Sequence, residues 1–304
     1  MSGIKQETKT DKIEGKVLGQ RVNAPQSYCP DILVRVPRDE NRLQYGIEED
    51  DLPFSGFDVW NAYEISCLTK KGYPVFLCAK IIYPIDNKYI VESKSLKLYL
   101  NSYNMEKMGD DYKSAKDNMT AQVRRDLSKL LQCPIDVWFY NGTEDVVNNV
   151  YETFDSIEDM IDIDQIEFED YNENKGLLKI GEEYQHIKVK FPMLRSNCKI
   201  THQPDWGTAF VQIIAEKNVD VKSICKYIVS FRNENHFHEE CVEMIYKRLF
   251  DLLSEHNESF KLNVSANYCR RGGIDICPIR VNDPTLADYS MVIPQAICKK
   301  LINQ

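Results

Sequence analysis

The chain has 304 residues, 43% of them hydrophobic and 28% charged, with a formal net charge of −9. That length holds two ordinary domains with a core each, and the balance is that of a globular protein, not a fibrous or disordered one. No apolar run approaches the roughly 18 residues of a membrane span, and the polar residues 1–16 lack the apolar centre of a secretory signal, so a cytoplasmic protein with no membrane partner is expected.

Residues 60–68 and 75–83 place β-branched and aromatic side chains at alternate positions, which predicts two strands. Helical spacing follows over 93–103 and again over 115–131, then a strand over 135–140, ended by the turn pair Asn141-Gly142. Between Glu152 and Glu173 lie ten acidic residues and no lysine or arginine; the rest of the chain, with 38 basic against 37 acidic residues, is nearly neutral. Such a strip reads as a solvated connection. It argues against direct nucleic-acid binding, which needs basic charge to neutralise phosphates. Beyond it, 187–191 and 209–215 read as strands, 221–231 and 238–253 as helices, and 261–268 and 274–279 as strands.

The same order of elements therefore occurs twice. Lys94-Ser95-Leu96-x-x-Tyr99-Leu100-x-Ser102-Tyr103 aligns without gaps on Lys222-Ser223-Ile224-x-x-Tyr227-Ile228-x-Ser230-Phe231, an offset of 128 residues. Leu96, Leu100 and Tyr103 share one helical face, as do Ile224, Ile228 and Phe231. Convergence on an amphipathic pattern could give part of this match, but a duplicated ββαα-ββ module also explains the agreement in element order. Consecutive helices between paired strands imply an α+β fold with antiparallel sheets, not a βαβ parallel sheet. The expected division is a first module over 1–150, the acidic connection over 151–175 and a second module over 176–304.

The segment 194–206 places Cys198 seven residues before Asp205, and Asn197, Gln203 and Pro204 predict a loop outside helix and strand. A thiol and a carboxylate in one loop suffice for covalent catalysis, the thiolate attacking an electrophilic carbon while the acid manages protons. Alone the pair is a modest signal, because most cysteines pack inertly in cores. The ten cysteines are scattered and include no C-x-x-C pair, so reduced thiols are expected. No G-x-G-x-x-G occurs among the 13 glycines, which gives a Rossmann unit no support.

Four segments together carry a resemblance. They are Val91-Glu92-Ser93-Lys94-Ser95-Leu96-Lys97-Leu98-Tyr99, the Ser196-Asn197-Cys198 loop running on to Asp205, Phe237-His238-Glu239-Glu240-Cys241-Val242, and Arg270-Arg271-Gly272-Gly273-Ile274-Asp275-Ile276. Jointly they closely resemble the NADPH-dependent 7-cyano-7-deazaguanine reductases, the nitrile oxidoreductases of queuosine biosynthesis (a tRNA modification pathway), in their long two-module type. The resemblance runs from about residue 51 to about residue 280 and leaves out the termini and the acidic connection. It implies two tandem tunnelling-fold modules, with antiparallel sheets and paired helices, in a homodimer whose sites form where modules meet. It also implies reduction of the nitrile of 7-cyano-7-deazaguanine to a primary amine with two equivalents of NADPH. Cys198 would form a thioimide and Asp205 would supply the proton. Val91, Glu92, Ser93, His238 and Glu239 would bind substrate, Glu239 holding the deazaguanine ring. Ser93, Lys94, Arg271 and Gly272 would bind the cofactor, and no metal is expected.

Each of these residues also has a plainer role. Cys198 alone reads as a buried thiol, although within the Ser196 to Asp205 motif the nucleophile is favoured; Asp205 reads as a turn cap, and Glu92 and Glu239 as first-turn acids favoured by the helix dipole. His238 could make a local hydrogen bond, Lys94 and Lys97 could be solvated, and Gly272 could simply form a turn. Two other functions stand beside the reductase. One is a zinc-dependent cyclohydrolase or pterin-forming enzyme with Cys198, His236, His238 and Cys241 as ligands. The other is a non-catalytic purine-binding module. The first module has no counterpart of Cys198 or Asp205 and is expected to serve binding and assembly. Cys241 either comes within disulfide reach of Cys198 or packs with Ile245 in the buried face of its helix.

Overall fold

The computed structural model describes residues 23–141, 150–181, 185–286, 289–292, 295 and 298. In chain order the main elements are β1 (Arg35–Pro37), α1 (Asp39–Gln44), β2 (Ser55–Thr69), β3 (Pro74–Pro84), β4 (Tyr89–Val91), α2 (Ser93–Asn101), α3 (Tyr112–Leu131) and β5 (Asp136–Tyr140). The second half adds β6 (His186–Asn197), β7 (Pro204–Ala215), α4 (Val221–Val229), α5 (His238–His256), β8 (Phe260–Arg271) and β9 (Ile274–Val281). The fold is mixed α+β and rich in antiparallel pairs. Among the described residues, no helix is long and apolar enough to cross a membrane.

The strands join into a nine-stranded sheet along the path β5-β3-β2-β9-β8-β7-β6, with Asp155–Ser156 added parallel to β6 and Lys107–Gly109 parallel to the end of β2. All neighbours along the labelled path are antiparallel. The seam between the halves is the β9–β2 pair, running from Ile274 opposite Ala62 to Val281 opposite Ser55. A separate small ladder pairs β1 with β4 and sets Val91 opposite Arg35.

Each half centres a core, and each core borrows from the other half: Tyr45, Ile47, Phe54 and Ile85 join the second, and Ile274 and Ile276 the first. Residues four apart lie on one helical face, and α3 buries Ala115, Met119, Val123, Leu127 and Leu131 beside Leu96, Tyr99 and Leu100 of α2. In the second half Cys241, Ile245, Leu249 and Leu253 of α5 pack beside Ile224 and Ile228 of α4. Successive strand residues face opposite ways, so Val75, Leu77, Ala79 and Ile81 of β3 meet the helices, while Ile82 joins a third cluster with Phe210 and Ile279.

The structure corrects several expected boundaries. The polar stretch around Cys198 is mostly strand: Asn197 lies opposite Pro204 and Ser196 opposite Asp205, which leaves a loop of only 198–203. Pro204 is tolerated there because it opens its strand, where little ladder bonding is lost. Pro192 is accommodated where the register shifts between Gly207 and Ala209. The expected helix over 221–231 becomes a 3-10 turn after Val229. The first half shows β5 alone after its helices, where the duplicated pattern expects two strands; 142–149, with Gly142 of the expected turn, lie outside the described residues. The acidic connection is not wholly solvated. Phe154 and Ile157 are buried, and Glu173 accepts from Arg248 and from the Tyr227 hydroxyl.

Candidate active site

A cavity of about 480 Å³ opens where the start of α2, the start of α5, the β6–β7 loop and the β8–β9 turn meet. Val91, Ser93 and Lys94 reach it from the first half, and Cys198, Asp205, His238, Glu239 and Gly272 from the second. Trp60, Ile274 and Ile276 add apolar wall at the seam between β2 and β9.

Backbone bonds fix the cysteine loop. The Cys198 N–H donates to Gln203 O at 2.8 Å, the His202 N–H donates to Cys198 O at 2.9 Å, and His202 takes a left-handed φ of 54°. The loop is strapped to the segment that leads into α5: Asn197 N–H donates to Glu234 O at 2.8 Å and His236 N–H to Asn197 O at 3.0 Å. Lys199 adds an ion pair to Glu240 at 2.9 Å. Burial alone would lower the His236 pKa, but the flanking Glu234 and Glu240 carboxylates outweigh it and raise it.

Asp205 is buried on β7, with Oδ2 3.3 Å from His238 Nε2. The His238 ring stacks on Tyr268 with centroids 4.0 Å apart and planes 19° apart. The histidine is thus held between a carboxylate and an aromatic face, a combination suited to passing a proton at a fixed place.

Glu239, in the first turn of α5, is 3% exposed, and its Oε1 has no hydrogen-bond partner among the described residues. Burial, and then the charge of Asp58, push its carboxyl up to about 8, against a hydrogen bond from its own backbone N–H and the pull of Arg38 and Arg280. These neighbours belong to a buried network. Asp58 of β2 pairs with Arg38 and with Arg280 of β9, while Glu243 of α5 pairs with Arg42 at 2.8 Å and Arg280 at 2.9 Å. Burial would raise the Glu243 pKa, yet Arg280 and Arg42 hold it down to about 2.

Glu92 lies elsewhere than expected. Its buried carboxylate caps α2 by accepting the N–H groups of Lys94 and Ser95, each at 2.7 Å, and does not line the cavity. Turned onto the unpaired amides of the helix start, it places Ser93 and Lys94 at the cavity. Lys94 and Lys97 give the cavity a cationic rim. Gly272 (φ 61°) meets Lys97 so closely that an added Cβ would stand 2.8 Å from its Cδ and Nζ. Lys97 also pairs with Glu64 at 3.6 Å, so the rim beside the glycine turn carries two ammonium groups and one carboxylate. The Arg271 side chain lies outside the described residues.

Cys241 is fully buried in the core with Ile245, does not line the cavity, and has its thiol pushed up to about 12 by burial. The packed role with Ile245 describes it, and Cys198 and Cys241 are both free thiols. The set Cys198, His236, His238 and Cys241 does not converge, and no three His, Cys, Asp or Glu side chains among the described residues stand together as a metal set.

Comparison with known proteins decides the family. A family model described as nitrile reductase, 7-cyano-7-deazaguanine-reductase N-term, matches residues 24–139, and a QueF-like protein model matches 204–285. The NADPH-dependent 7-cyano-7-deazaguanine reductase of Coxiella burnetii is 37% identical over 276 residues, covering 90% of this chain and 94% of that protein. This chain belongs to the 7-cyano-7-deazaguanine reductase family. Reductases of the same name from Hydrogenovibrio crunogenus (36% over 290 residues, 94% of this chain and 99% of that protein) and Rickettsia bellii (36% over 299 residues, 96% and 99%) match almost end to end. The two family models fall one in each half of the chain.

Sequence reasoning missed the His238–Asp205 pair, the Tyr268 stack and the arginine network. For the last a signal existed: Asp58 and Arg280 stand among apolar strand residues, Val59 and Trp60 in one case and Ile279 and Val281 in the other, and charges in such places are rarely buried unless paired.

Proposed function

We propose that this chain reduces the nitrile of 7-cyano-7-deazaguanine to the primary amine of 7-aminomethyl-7-deazaguanine, in queuosine biosynthesis, through a covalent thioimide on Cys198. The observation that carries this reading is one cavity lined by Cys198, by the Asp205–His238 pair and by Glu239, whose Oε1 has no hydrogen-bond partner among the described residues. Glu239 accepts the two N–H groups of the guanine-like edge, which satisfies an otherwise orphaned buried acceptor. The Cys198 thiolate bonds to the nitrile carbon as one C–N π bond breaks, and the nitrogen takes a proton from Asp205. The proton lost by the thiol balances the one gained by nitrogen, and His238 beside Asp205 gives it a path between them.

Lys94, Lys97 and the Gly272 turn hold the phosphates of NADPH, with Ser93 beside them and Arg271 assigned by resemblance. NADPH supplies the hydride equivalents when bound. Trp60, Ile274 and Ile276 keep water from the reacting carbon. The reading extends to a cytoplasmic homodimer and to tandem tunnelling-fold modules divided at 1–150, 151–175 and 176–304; the sheet, antiparallel along its main path, and the helices over each core support the tandem modules.

Intact-mass measurement tests the thioimide. With 7-cyano-7-deazaguanine and no NADPH, the chain should gain one substrate mass that Cys198→Ala abolishes and added NADPH discharges. An unmodified mass at saturating substrate, in a preparation that turns over, would overturn it.

A further inference from the structure

The charges around Glu239 come from both halves of the molecule. Glu239 stands one turn before Glu243 on α5, on the face where Glu243 meets Arg280 of β9 at 2.9 Å; Arg280 pairs with Asp58 of β2 at 2.9 Å, and Asp58 with Arg38 just before α1, so these charges bear on the Glu239 carboxyl. Tyr83 of β3 completes the surroundings, since its own hydroxyl feels both Asp58 and Glu239. Arg42 and Glu243 extend the network, and every one of its charged members is 4% exposed or less, so water screens none of it. Three guanidiniums against Asp58 and Glu243 leave one positive charge over, which an ionised Glu239 balances. Its own backbone N–H favours the carboxylate, yet Oε1 has no donor among the described residues, so a ligand that brings N–H groups favours the ionised form further.

We propose that Asp58, Arg38 and Arg280 are positioning residues that set the charge Glu239 offers to a ligand, so that the first module governs how readily the second captures its substrate. This rests on the reading of Glu239 as the acceptor for the ligand's N–H groups. When Glu239 is protonated, the ligand must displace that proton, and affinity falls roughly tenfold per pH unit. With the carboxyl pushed up to about 8, this limb spans neutral pH. The two neighbours act with opposite sign. Asp58 repels the carboxylate and keeps the proton on, while Arg38 and Arg280 draw it off.

The test uses the full chain carrying Cys198→Ala, so that 7-cyano-7-deazaguanine binds without reacting, and measures its affinity by calorimetry from about pH 6 to about pH 9. Asp58→Asn should move the limb to lower pH and tighten binding at pH 6.5 by up to roughly tenfold. Arg38→Gln should move it to higher pH and weaken binding by a similar factor, and Arg38→Lys, which keeps the charge, should restore it. The remaining groups stay paired in each variant: without Asp58, Arg280 keeps Glu243 and Arg38 keeps Asn87 at 3.2 Å; without Arg38, Asp58 keeps Arg280. Should Asp58→Asn fail to fold, Arg38→Gln against Arg38→Lys decides alone, because its sign is fixed. Glu239→Gln separates the two levels. If the limb survives that substitution, the reading of Glu239 as acceptor fails. If Glu239→Gln removes the limb, but Asp58→Asn and Arg38→Gln leave it in place or shift it the same way, the positioning role is overturned.

Discussion

α2 and α4 start in nearly the same way and serve different ends. Glu92 caps α2 by accepting from Lys94 and Ser95, and Asp220 caps α4 by accepting from Lys222 and Ser223 at 3.4 and 3.1 Å. In both, the third helical residue is a serine whose hydroxyl donates to the cap carbonyl, at 2.8 Å for Ser95 and 2.6 Å for Ser223. Each serine oxygen also accepts an N–H from an earlier segment, Val34 in one half and Lys179 in the other. Only the first of these starts faces the cavity, where Ser93 and Lys94 line it, whereas Lys222 is exposed to solvent. The second half builds its share of the cavity from its other helix, α5. Capping and apolar spacing are demanded locally by every helix and so survive duplication. The residues at the β2–β9 seam answer to a partner in the other half, and there the two copies part.

Removing chemistry from one side of that seam should give the largest effects. Cys198→Ala should take turnover to background while the protein still binds 7-cyano-7-deazaguanine, which steady-state assays and calorimetry together would show. Asp205→Asn keeps the shape of its strand and should slow reduction by about 10²–10⁴-fold, the range for losing a general acid, with KM little changed. Near-normal kcat in that variant would reduce Asp205 to a strand residue that orients His238.

The asymmetry was only half legible in the sequence. Apolar alternation and four-residue spacing gave the strands and helices of both halves, because those patterns are local. The gapless match of Lys94 to Tyr103 on Lys222 to Phe231 announced the shared cap and stripe. What stayed hidden is what pairing at a distance decides. Asn197, Pro204 and Asp205 look like loop residues, yet the β6–β7 ladder holds them in strands. Glu92 looks like a ligand contact, yet its carboxylate is turned onto its own helix. Arg38 and Asp58, twenty residues apart, meet Glu243 and Arg280 only because β9 crosses to β2.

A smaller effect should appear in stability. The Glu239 carboxyl is raised from 4.5 to about 8, first by burial and then by Asp58. A carboxyl raised on folding contributes fully below its unfolded value and loses that contribution as pH climbs through the folded one. The ligand-free protein should therefore weaken between about pH 5 and pH 8, by an amount on the order of a few kcal/mol. Glu239→Gln cannot ionise and should escape this loss. Urea unfolding of both proteins at the two pH values reads the difference, and equal slopes would mean that the carboxylate is solvated in the native state.

The smallest effect is the most direct comparison of the two copies. Glu92→Ala and Asp220→Ala each remove a cap that satisfies two amides, and each should cost about 1 kcal/mol of stability in a thermal or urea melt. Their kinetics should differ. Asp220 holds a helix start that lies away from the cavity, so its loss should leave KM for NADPH and for the nitrile unchanged. Glu92 holds Ser93 and Lys94 at the cavity rim, and once the first turn of α2 frays those groups no longer converge with Gly272 and Lys97. KM for NADPH should then rise several-fold while the thioimide still forms, because Cys198 and Glu239 rest on the other half. If Asp220→Ala raised KM as much as Glu92→Ala, both copies would act on the cavity alike, and the functional asymmetry between the two helix starts would be wrong.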